Sequence, residues 1–296
     1  MSYSELNLLA FQKRFRTEHA CEKALERMRW PEGYACPKCG HRQGYRIESR
    51  RLIACAACRY QVSLTAGTIF HKTRTPLVVW FWALYLVSQD KGGESALRLA
   101  KQLGIRYKTA WLMLHKIRQA MGERNRRYPL SGRIEMDDAF FGGVRAGKRG
   151  RGAANKTPVL VMVESQGKKR AGFVAMRTLP RVDRDRVHEG VAEEIQPGQA
   201  IRTDGLSVYD PLTTFDHTHE GTPVPPQQAA EALPWVHTVI SNAKRFLLGT
   251  YHGVSHRHLQ RYLDEFCYRF NRRTWEPQLP MRLLRACVTA SAELRG

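Results

Sequence analysis

Helical spacing of apolar residues marks most of the first 121 positions of the sequence. Residues 1–30 predict one or two amphipathic helices, which end at Pro31. The run "PLVVWFWALYLVS" (76–88) predicts a buried helix, because it is shorter than the stretch of about 18 apolar residues that indicates a membrane span. Ser95 can then cap a helix, Gly104 marks a turn, and "YKTAWLMLHKIRQAM" returns to helical spacing. This order is the layout of a helix-turn-helix unit.

The pattern changes after a basic linker, "GERNRRYPLSGR". Three apolar runs predict strands: "RIEMDDAFFGG" (133–143), "TPVLVMVES" (157–165) and "RAGFVAMRTL" (170–179). Residues 183–195 then predict a helix, and "AIRTDG" (200–205) predicts a short strand. Three strands, a helix, another strand and further helices predict a multidomain α/β protein whose last large domain holds a mixed sheet.

The changes of pattern also predict where the chain divides. At 296 residues it exceeds the roughly 100–200 residues of one domain. We expect an N-terminal helical segment (1–30), a small metal-stapled module (31–72), a helix-turn-helix region (73–127), the α/β domain (128–275) and a helical tail (276–296).

The charge balance points to a polyanionic partner. Lysine and arginine number 48 against 27 aspartate and glutamate, a formal net charge of +21. Nucleic acid is the commonest partner of so basic a chain. The N-terminus lacks the pattern of a signal peptide, so we expect a cytoplasmic, nucleoid-associated protein and no membrane partner. Seven cysteines, an odd number, argue against a disulfide framework and for metal binding by some of them.

Four of the cysteines form two CxxC pairs. Cys36 and Cys39 are separated from Cys55 and Cys58 by 15 residues, which is the spacing of a four-thiolate zinc site. Such a closed site leaves no open position, so this Zn²⁺ should support folding and not catalysis. The other cysteines lie in helical patterns and are expected in the core: Cys21, Cys267 and Cys287.

Carboxylates interrupt two of the predicted strands. In "IEMDDAFFGG", alternation allows only one of Asp137 and Asp138 to face the same side as Glu135. Asp204 ends the strand "AIRTDG". An acid within an apolar strand costs desolvation unless a cation neutralises it. One aspartate of the pair Asp137/Asp138, together with Asp204, therefore predicts a Mg²⁺ site, in which two ions could support in-line attack at phosphorus.

A cationic segment lies between these two strands. "GGVRAGKRGRGAANK" (142–156) has five basic residues, five glycines and no acid. A solvated hairpin loop would have the same composition. Beside a site that cuts phosphodiesters, we expect it to hold backbone phosphates through its cations. These are Arg145, Lys148, Arg149, Arg151 and Lys156.

Several of these motifs, together with "LLGTYHGVSHRHLQRYLDEFCYRFNRR", occur in one known order. The two CxxC pairs, "IEMDDAFFGG" and "RTDGLSVY" precede it. Over roughly residues 15–275 the chain resembles bacterial insertion-sequence transposases with an N-terminal zinc ribbon and a DDE-type, RNase H-like catalytic domain.

The resemblance implies a fold, partners and an activity. The ribbon and the helix-turn-helix would bind terminal inverted repeats of double-stranded DNA. The RNase H-like domain would cleave 3′ ends and join them to target DNA, using Mg²⁺ or Mn²⁺, with the protein acting as a homo-oligomer on DNA. Asp137 and Asp204 match the first and second metal-binding aspartates of the family, and Asp138 would support its neighbour.

The third metal-binding acid of many relatives has no match here. It precedes a Lys-Arg pair, Lys244 and Arg245 in this chain, yet residues 232–263 contain no aspartate or glutamate. Asn242 is the first substitute, because some relatives carry asparagine in that role and its amide oxygen can bind Mg²⁺. His237 is the second, two helical turns before Lys244, although imidazole suits Mn²⁺ or Zn²⁺ better than Mg²⁺. Glu265 is the third.

Further cations are candidate DNA contacts. Glu265, Arg269 and Arg272 share the spacing of one helical face, and relatives carry the same pattern near the catalytic centre. A salt-bridged exposed helix would give the same spacing. The remaining candidates are Arg106, Lys108, Lys244 and Arg245.

Other functions fit part of the sequence. A DNA-binding regulator could use the ribbon and the helix-turn-helix without catalysis, and it would have no need of Asp137 or Asp204. A catalytically degenerate copy would also keep DNA binding alone. A nuclease that does not join strands would use the same metal site as a transposase.

Overall fold

A computed structural model describes residues 6–142, 156–167, 169–223 and 228–291. The basic segment from Arg145 to Arg151 lies outside these residues. The chain forms two compact units. The first takes the chain up to Met121 and again from Trp275, and the second takes Gly122–Thr274.

The first unit begins with two capped helices, α1 (Leu8–Arg14) and α2 (Glu18–Arg29). The Asn7 side chain caps α1 by accepting a backbone N–H, and the Thr17 side chain does the same for α2. A small antiparallel sheet follows: β1 (Gly44–Ile47), β2 (Leu52–Cys55) and β3 (Gln61–Ser63), with β2 in the middle.

The apolar run at 76–88 forms helix α3 (Leu77–Gln89), whose start is capped from a distance. The Glu18 carboxylate accepts the backbone N–H groups of Leu77 at 2.9 Å and Val78 at 3.1 Å. The N–H groups of a helix's first turn have no partner inside the helix, so the carboxylate satisfies two of them and complements the helix dipole. Glu18 thereby ties α2 to α3.

Helices α4 (Ala96–Leu103) and α5 (Tyr107–Asn125) follow one another across a short turn, and their role as a helix-turn-helix unit stays a prediction. The Ser95 hydroxyl accepts the N–H of Arg98 at 3.1 Å, which caps α4. Gly104 ends it with φ of +62°, in the left-handed region that favours glycine.

The second unit is built on a five-stranded mixed sheet of order β6-β5-β4-β7-β8. Neighbouring strands pair antiparallel from β6 to β4, and β7 and β8 run parallel to β4. The strands are β4 (Arg133–Phe141), β5 (Thr157–Ser165), β6 (Ala171–Thr178), β7 (Ala200–Thr203) and β8 (Thr218–Gly221). The mixed sheet agrees with the expected RNase H-like fold; β8, with the polar sequence "THEG", was not predicted.

Helices cover both faces of this sheet. One face packs against α6 (Arg184–Glu194) and the 3₁₀ segment Ser207–Phe215. The other face packs against α8 (Pro234–Tyr251) and α9 (His256–Phe270), after a short α7 (Ala229–Ala232). Helix α10 (Leu279–Thr289) belongs to the first unit. Across the described ranges, no helix is long and apolar enough to cross a membrane.

One apolar stripe holds α8 on the sheet. Val236, Val239 and Ala243 are fully buried at helical spacing against the core formed by β4, β5 and β6. Burying one such valine side chain stabilises the fold by about 1.5 kcal/mol or more. Because this stripe faces the sheet, it determines which side chains of α8 lie beside β4, the strand that carries Asp137 and Asp138.

Candidate active site and zinc centre

The four cysteines of the CxxC pairs meet at one point. Their sulfur atoms all lie within 4.8 Å of one another, and the Sγ atoms of Cys36 and Cys58 are 3.6 Å apart, as are those of Cys39 and Cys55. Four thiolates about 2.3 Å from a tetrahedral Zn²⁺ would lie about 3.8 Å apart. The sulfur positions therefore fit a structural zinc ion.

The two CxxC turns share one backbone geometry. Gly40 N–H donates to the Cys36 carbonyl at 2.9 Å, and Arg59 N–H donates to the Cys55 carbonyl at 3.1 Å. Both residues have positive φ, +75° at Gly40 and +56° at Arg59. Burial acts to raise the pKa of Cys36, but backbone N–H donors lower it to about 6. A low pKa favours the thiolate form that binds zinc.

Strand β4 directs its two adjacent aspartates to opposite faces of the sheet, as alternation predicts. Asp137 faces α8, on the side of Ala139, whereas Asp138 faces the opposite core and accepts a hydrogen bond from the Tyr209 hydroxyl at 3.0 Å. The Asp137 Oδ1 atom accepts the Asp138 backbone N–H at 2.8 Å. That contact orients the Asp137 carboxylate.

Tyr209 is a fully buried residue that sequence reasoning missed. Burial raises its pKa well above the ordinary value, and the charges of Asp138, Asp137 and Asp204 raise it further. The hydroxyl therefore stays protonated and donates to Asp138. Its signal in the sequence is a tyrosine five positions after Asp204, at the end of "RTDGLSVY".

Asp204 directly follows β7, and its charge acts on both Tyr209 and His237. Glu135 of β4 pairs with Arg202 of β7 in parallel register. If that register continued for two more residues, Asp204 would lie opposite Asp137 on the same face of the sheet. The Asp204 Oδ1 atom accepts the N–H of Leu206 at 3.2 Å, which closes a turn that fixes the carboxylate.

His237 lies in the first turn of α8 and faces Asp137. Its Nε2 atom is 3.9 Å from Asp137 Oδ2. Partial burial lowers the pKa of His237, and the charges of Glu135 and Asp204 act in the opposite direction. The imidazole is therefore neutral near pH 7, the form that binds a metal.

Glu135 fixes the start of α8 over this strand. The side chain is 1% exposed, and its Oε2 atom accepts the N–H groups of Trp235 at 2.7 Å and Val236 at 3.1 Å. The contact repeats the cap that Glu18 gives to α3. Asp137 follows Glu135 by two residues, and His237 follows Trp235 by two residues. The contact between Glu135 and Trp235 therefore determines the distance between Asp137 and His237.

The other two candidates for the third ligand occupy different positions. At about 100° per residue, Asn242 lies about 140° from His237 around the exposed side of α8, at the other border of the buried stripe. The buried Glu265 of α9 accepts a hydrogen bond from the hydroxyl of Tyr251 at 3.4 Å. Tyr251 is 14 residues beyond His237, about 21 Å along the helix axis. The structure therefore does not bring Glu265 to Asp137.

Lys244 lies two turns after His237 on the same side of α8. Its Nζ atom is 5.5 Å from the centre of the Phe141 ring, at the end of β4. Desolvation and the charge of Lys156 lower the pKa of Lys244, and Asp137 raises it. The site thus has cations beside its carboxylates.

The other residues predicted to contact DNA differ in their exposure to solvent. Arg272 was predicted to contact DNA, but the structure buries it, with 8% of its surface exposed. It lies beyond the end of α9, donates a hydrogen bond to the Asn125 side chain at 2.9 Å and stacks 3.9 Å from the centre of the Tyr268 ring. It is therefore part of the core. The exposed candidates are Arg106, Lys108, Lys156 and Arg245, and Arg269 is half-buried. The loop cations are outside the described residues: Arg145, Lys148, Arg149 and Arg151.

The ligand atoms of Asp137, Asp204 and His237 do not all lie within 4.8 Å of one another. In the part of the chain that the structure describes, only the four zinc cysteines bring three or more ligand atoms within 4.8 Å of one another. Asp137, Asp204 and His237 therefore form no closed cage. Carboxylate oxygens from two aspartates are the kind of ligand that usually holds Mg²⁺ and Mn²⁺, with the remaining positions taken by water or phosphate oxygens.

Two family models match parts of the chain. Residues 16–61 match the model of the transposase zinc-ribbon domain, and residues 129–271 match that of the ISXO2-like transposase domain. No curated protein matches the chain.

Solved structures give weak likenesses. The crystal structure of the Mos1 strand transfer complex is 15% identical, with 69% of this chain and 75% of that chain covered and a TM-score of 0.31. A pre-cleavage Mos1 transpososome is 13% identical, with 68% and 76% covered and a TM-score of 0.29. TM-scores this low carry no argument about fold or function.

Proposed function

We propose that this chain, which combines a transposase zinc-ribbon domain with an ISXO2-like transposase domain, is an insertion-sequence transposase whose catalytic metal ions are held by Asp137, Asp204 and His237. The reaction is cleavage of 3′ ends at the terminal inverted repeats of an insertion sequence and their transfer into target DNA. Two Mg²⁺ or Mn²⁺ ions would activate the attacking water or 3′-hydroxyl and neutralise the leaving oxygen.

The main support for this proposal is the position of His237 beside Asp137. Its Nε2 atom lies 3.9 Å from Asp137 Oδ2, and the register of β4 and β7 supports Asp204 at the same level. A histidine ligand leaves the site with two negative charges in place of three. The metals then depend more on substrate phosphates for charge balance, and Mn²⁺ is favoured relative to Mg²⁺.

The chain's own residues have separate tasks in this proposal. Asp137 and Asp204 supply carboxylate oxygens, and neutral His237 supplies a ring nitrogen. Lys244, next to Asp137, contacts the phosphate being cut and limits the repulsion between that phosphate and the carboxylates. Tyr209 keeps Asp138 hydrogen-bonded behind the site.

DNA binding uses cations in both units. Arg106 and Lys108 are exposed at the start of α5, where the second helix of a helix-turn-helix contacts DNA. Lys156 and Arg245 are exposed on the catalytic unit and would contact backbone phosphates. We expect the protein to act as a homo-oligomer on paired ends.

A joining assay with purified full-length protein tests the proposal. The DNA is a duplex that ends with the repeat flanking the gene, and Mn²⁺ is the metal. Asp137→Asn, Asp204→Asn and His237→Ala should abolish cleavage and joining while DNA binding persists. Thr238→Ala, at an exposed neighbour on α8, is the matched control.

Two outcomes would contradict the proposal. Full cleavage and joining by Asp137→Asn would place the catalytic site elsewhere, and a wild-type protein that binds the duplex without cutting it would be a DNA-binding regulator. Full activity of His237→Ala together with loss of activity in Asn242→Ala would move the third ligand to Asn242.

A further inference from the structure

We propose that His219 is a positioning residue that fixes Asp204 through the hydroxyl of Thr203. The inference rests on the proposed role of Asp204 as a metal ligand. His219 lies on β8, the edge strand of the sheet, and faces away from the carboxylate site.

The contact joins β8 to the turn that carries Asp204. The Nε2 atom of His219 is 2.8 Å from Thr203 Oγ1, and the Gly205 backbone N–H donates to the same oxygen at 3.2 Å. The threonine hydroxyl accepts the Gly205 N–H and has both a proton and a second lone pair left, so it can bond to Nε2 in either neutral tautomer of His219. Thr203 and Gly205 are the two residues that flank Asp204.

The surrounding backbone leaves little freedom for this turn. The Thr203 carbonyl accepts the Thr222 N–H at 3.1 Å. Gly205 has φ of +76°, and a Cβ atom there would lie 2.9 Å from the backbone nitrogen of Pro223. The segment that follows β8 therefore packs directly on the turn. The His219 contact is the side-chain link in this packing.

His219 acts from the face opposite to the carboxylate. In the parallel register of β7 and β8 it pairs with Ile201, which lies in the core on the α6 side. Asp204 is three residues beyond Ile201 and faces the α8 side. His219 thus contacts the turn on the face of the sheet opposite to the proposed metal site and would not bind the metal itself. Residues that orient a metal ligand in this way usually change metal affinity or activity about 10-fold to 100-fold when replaced.

The test compares His219→Leu, His219→Gln and Thr203→Val in the full-length zinc-loaded protein. Mn²⁺ binding is titrated without DNA, and Mn²⁺-dependent cleavage of the end duplex is measured separately. His219→Leu and Thr203→Val should weaken Mn²⁺ binding about 10-fold and lower kcat about 10-fold to 100-fold, with KM for DNA unchanged. His219→Gln, whose amide can still accept from Thr203, should restore most of both.

His217→Leu is the matched control. His217 is also buried beside β8, but its Nδ1 atom accepts the Gln199 N–H at 3.2 Å, before the strand begins. It should lose stability without a change in Mn²⁺ affinity. Thr203→Val conserves shape, so it tests the contact even where His219→Leu unfolds.

Two results overturn the inference. One is Mn²⁺ affinity and kcat in Thr203→Val equal to wild type, and the other is His219→Gln as defective as His219→Leu. Asp204→Asn separates this failure from failure of the proposed function. If Asp204→Asn is active, the proposed metal site is refuted. If it is inactive, the proposed metal site stands and only the proposed role of His219 is refuted.

Discussion

Glu135 gives the sharpest quantitative prediction, because one buried carboxylate caps the helix that carries His237. Its Oε2 atom accepts two backbone N–H groups at 2.7 and 3.1 Å. Hydrogen bonds to a charged group contribute about 1.5–3 kcal/mol each, and neutral ones about 0.5–1.5 kcal/mol. Glu135→Gln keeps an acceptor but loses the charge, so the start of α8 should lose about 2 kcal/mol of local stability.

Amide hydrogen exchange measures that loss at the helix itself. A change of 2 kcal/mol corresponds to about 30-fold faster exchange for residues 235–240, since about 1.4 kcal/mol is a factor of ten. Glu231→Gln replaces an exposed glutamate that precedes the same helix and should change exchange there by much less. Equal exchange in the two variants would refute the assignment of Glu135 as the cap of α8.

Three further predictions follow from other parts of the structure. Chelation should release one Zn²⁺ per chain and unfold residues 36–63, seen as rapid proteolysis there; a ribbon that stays protected after zinc release would refute the structural role. His237→Glu should restore a third acid and raise Mg²⁺-supported cleavage relative to Mn²⁺-supported cleavage, and an unchanged ratio would argue against His237 as a ligand. Burial raises the pKa of Asp264 from 3.8 to about 6, so its protonated form is favoured in the folded state and its contribution to stability is lost as pH rises from about 4 through 6. Asp264→Asn should therefore gain Tm relative to wild type across that interval, and a constant difference would contradict the burial of this group.

Local patterns in the sequence were sufficient for the four-cysteine cluster and for the opposite orientation of the two aspartates in β4. Each CxxC pair is a single turn, and the alternation of β4 alone assigns Asp137 to the opposite face from Asp138. The helix-turn-helix pair also follows from local signals, since Ser95 and Gly104 mark its boundaries. These features depend on neighbours within a few residues.

The features that the sequence left open depend on contacts between residues that are far apart in the chain. The choice between His237 and Asn242 depends on which side of α8 meets β4, and that depends on Glu135, 100 residues before Trp235. Strand β8 has no apolar alternation, so neither it nor the contact of His219 with Thr203 could be predicted. Arg272 has the composition of a DNA contact, but the structure buries it against Tyr268.

Anomalous diffraction at the manganese absorption edge, from crystals of the full-length protein soaked in Mn²⁺, tests the central claim most directly. The proposed site predicts manganese density bounded by the carboxylates of Asp137 and Asp204, with the Nε2 atom of His237 as a ligand. Density that instead includes the side chain of Asn242, or no manganese beside Asp137, would contradict it.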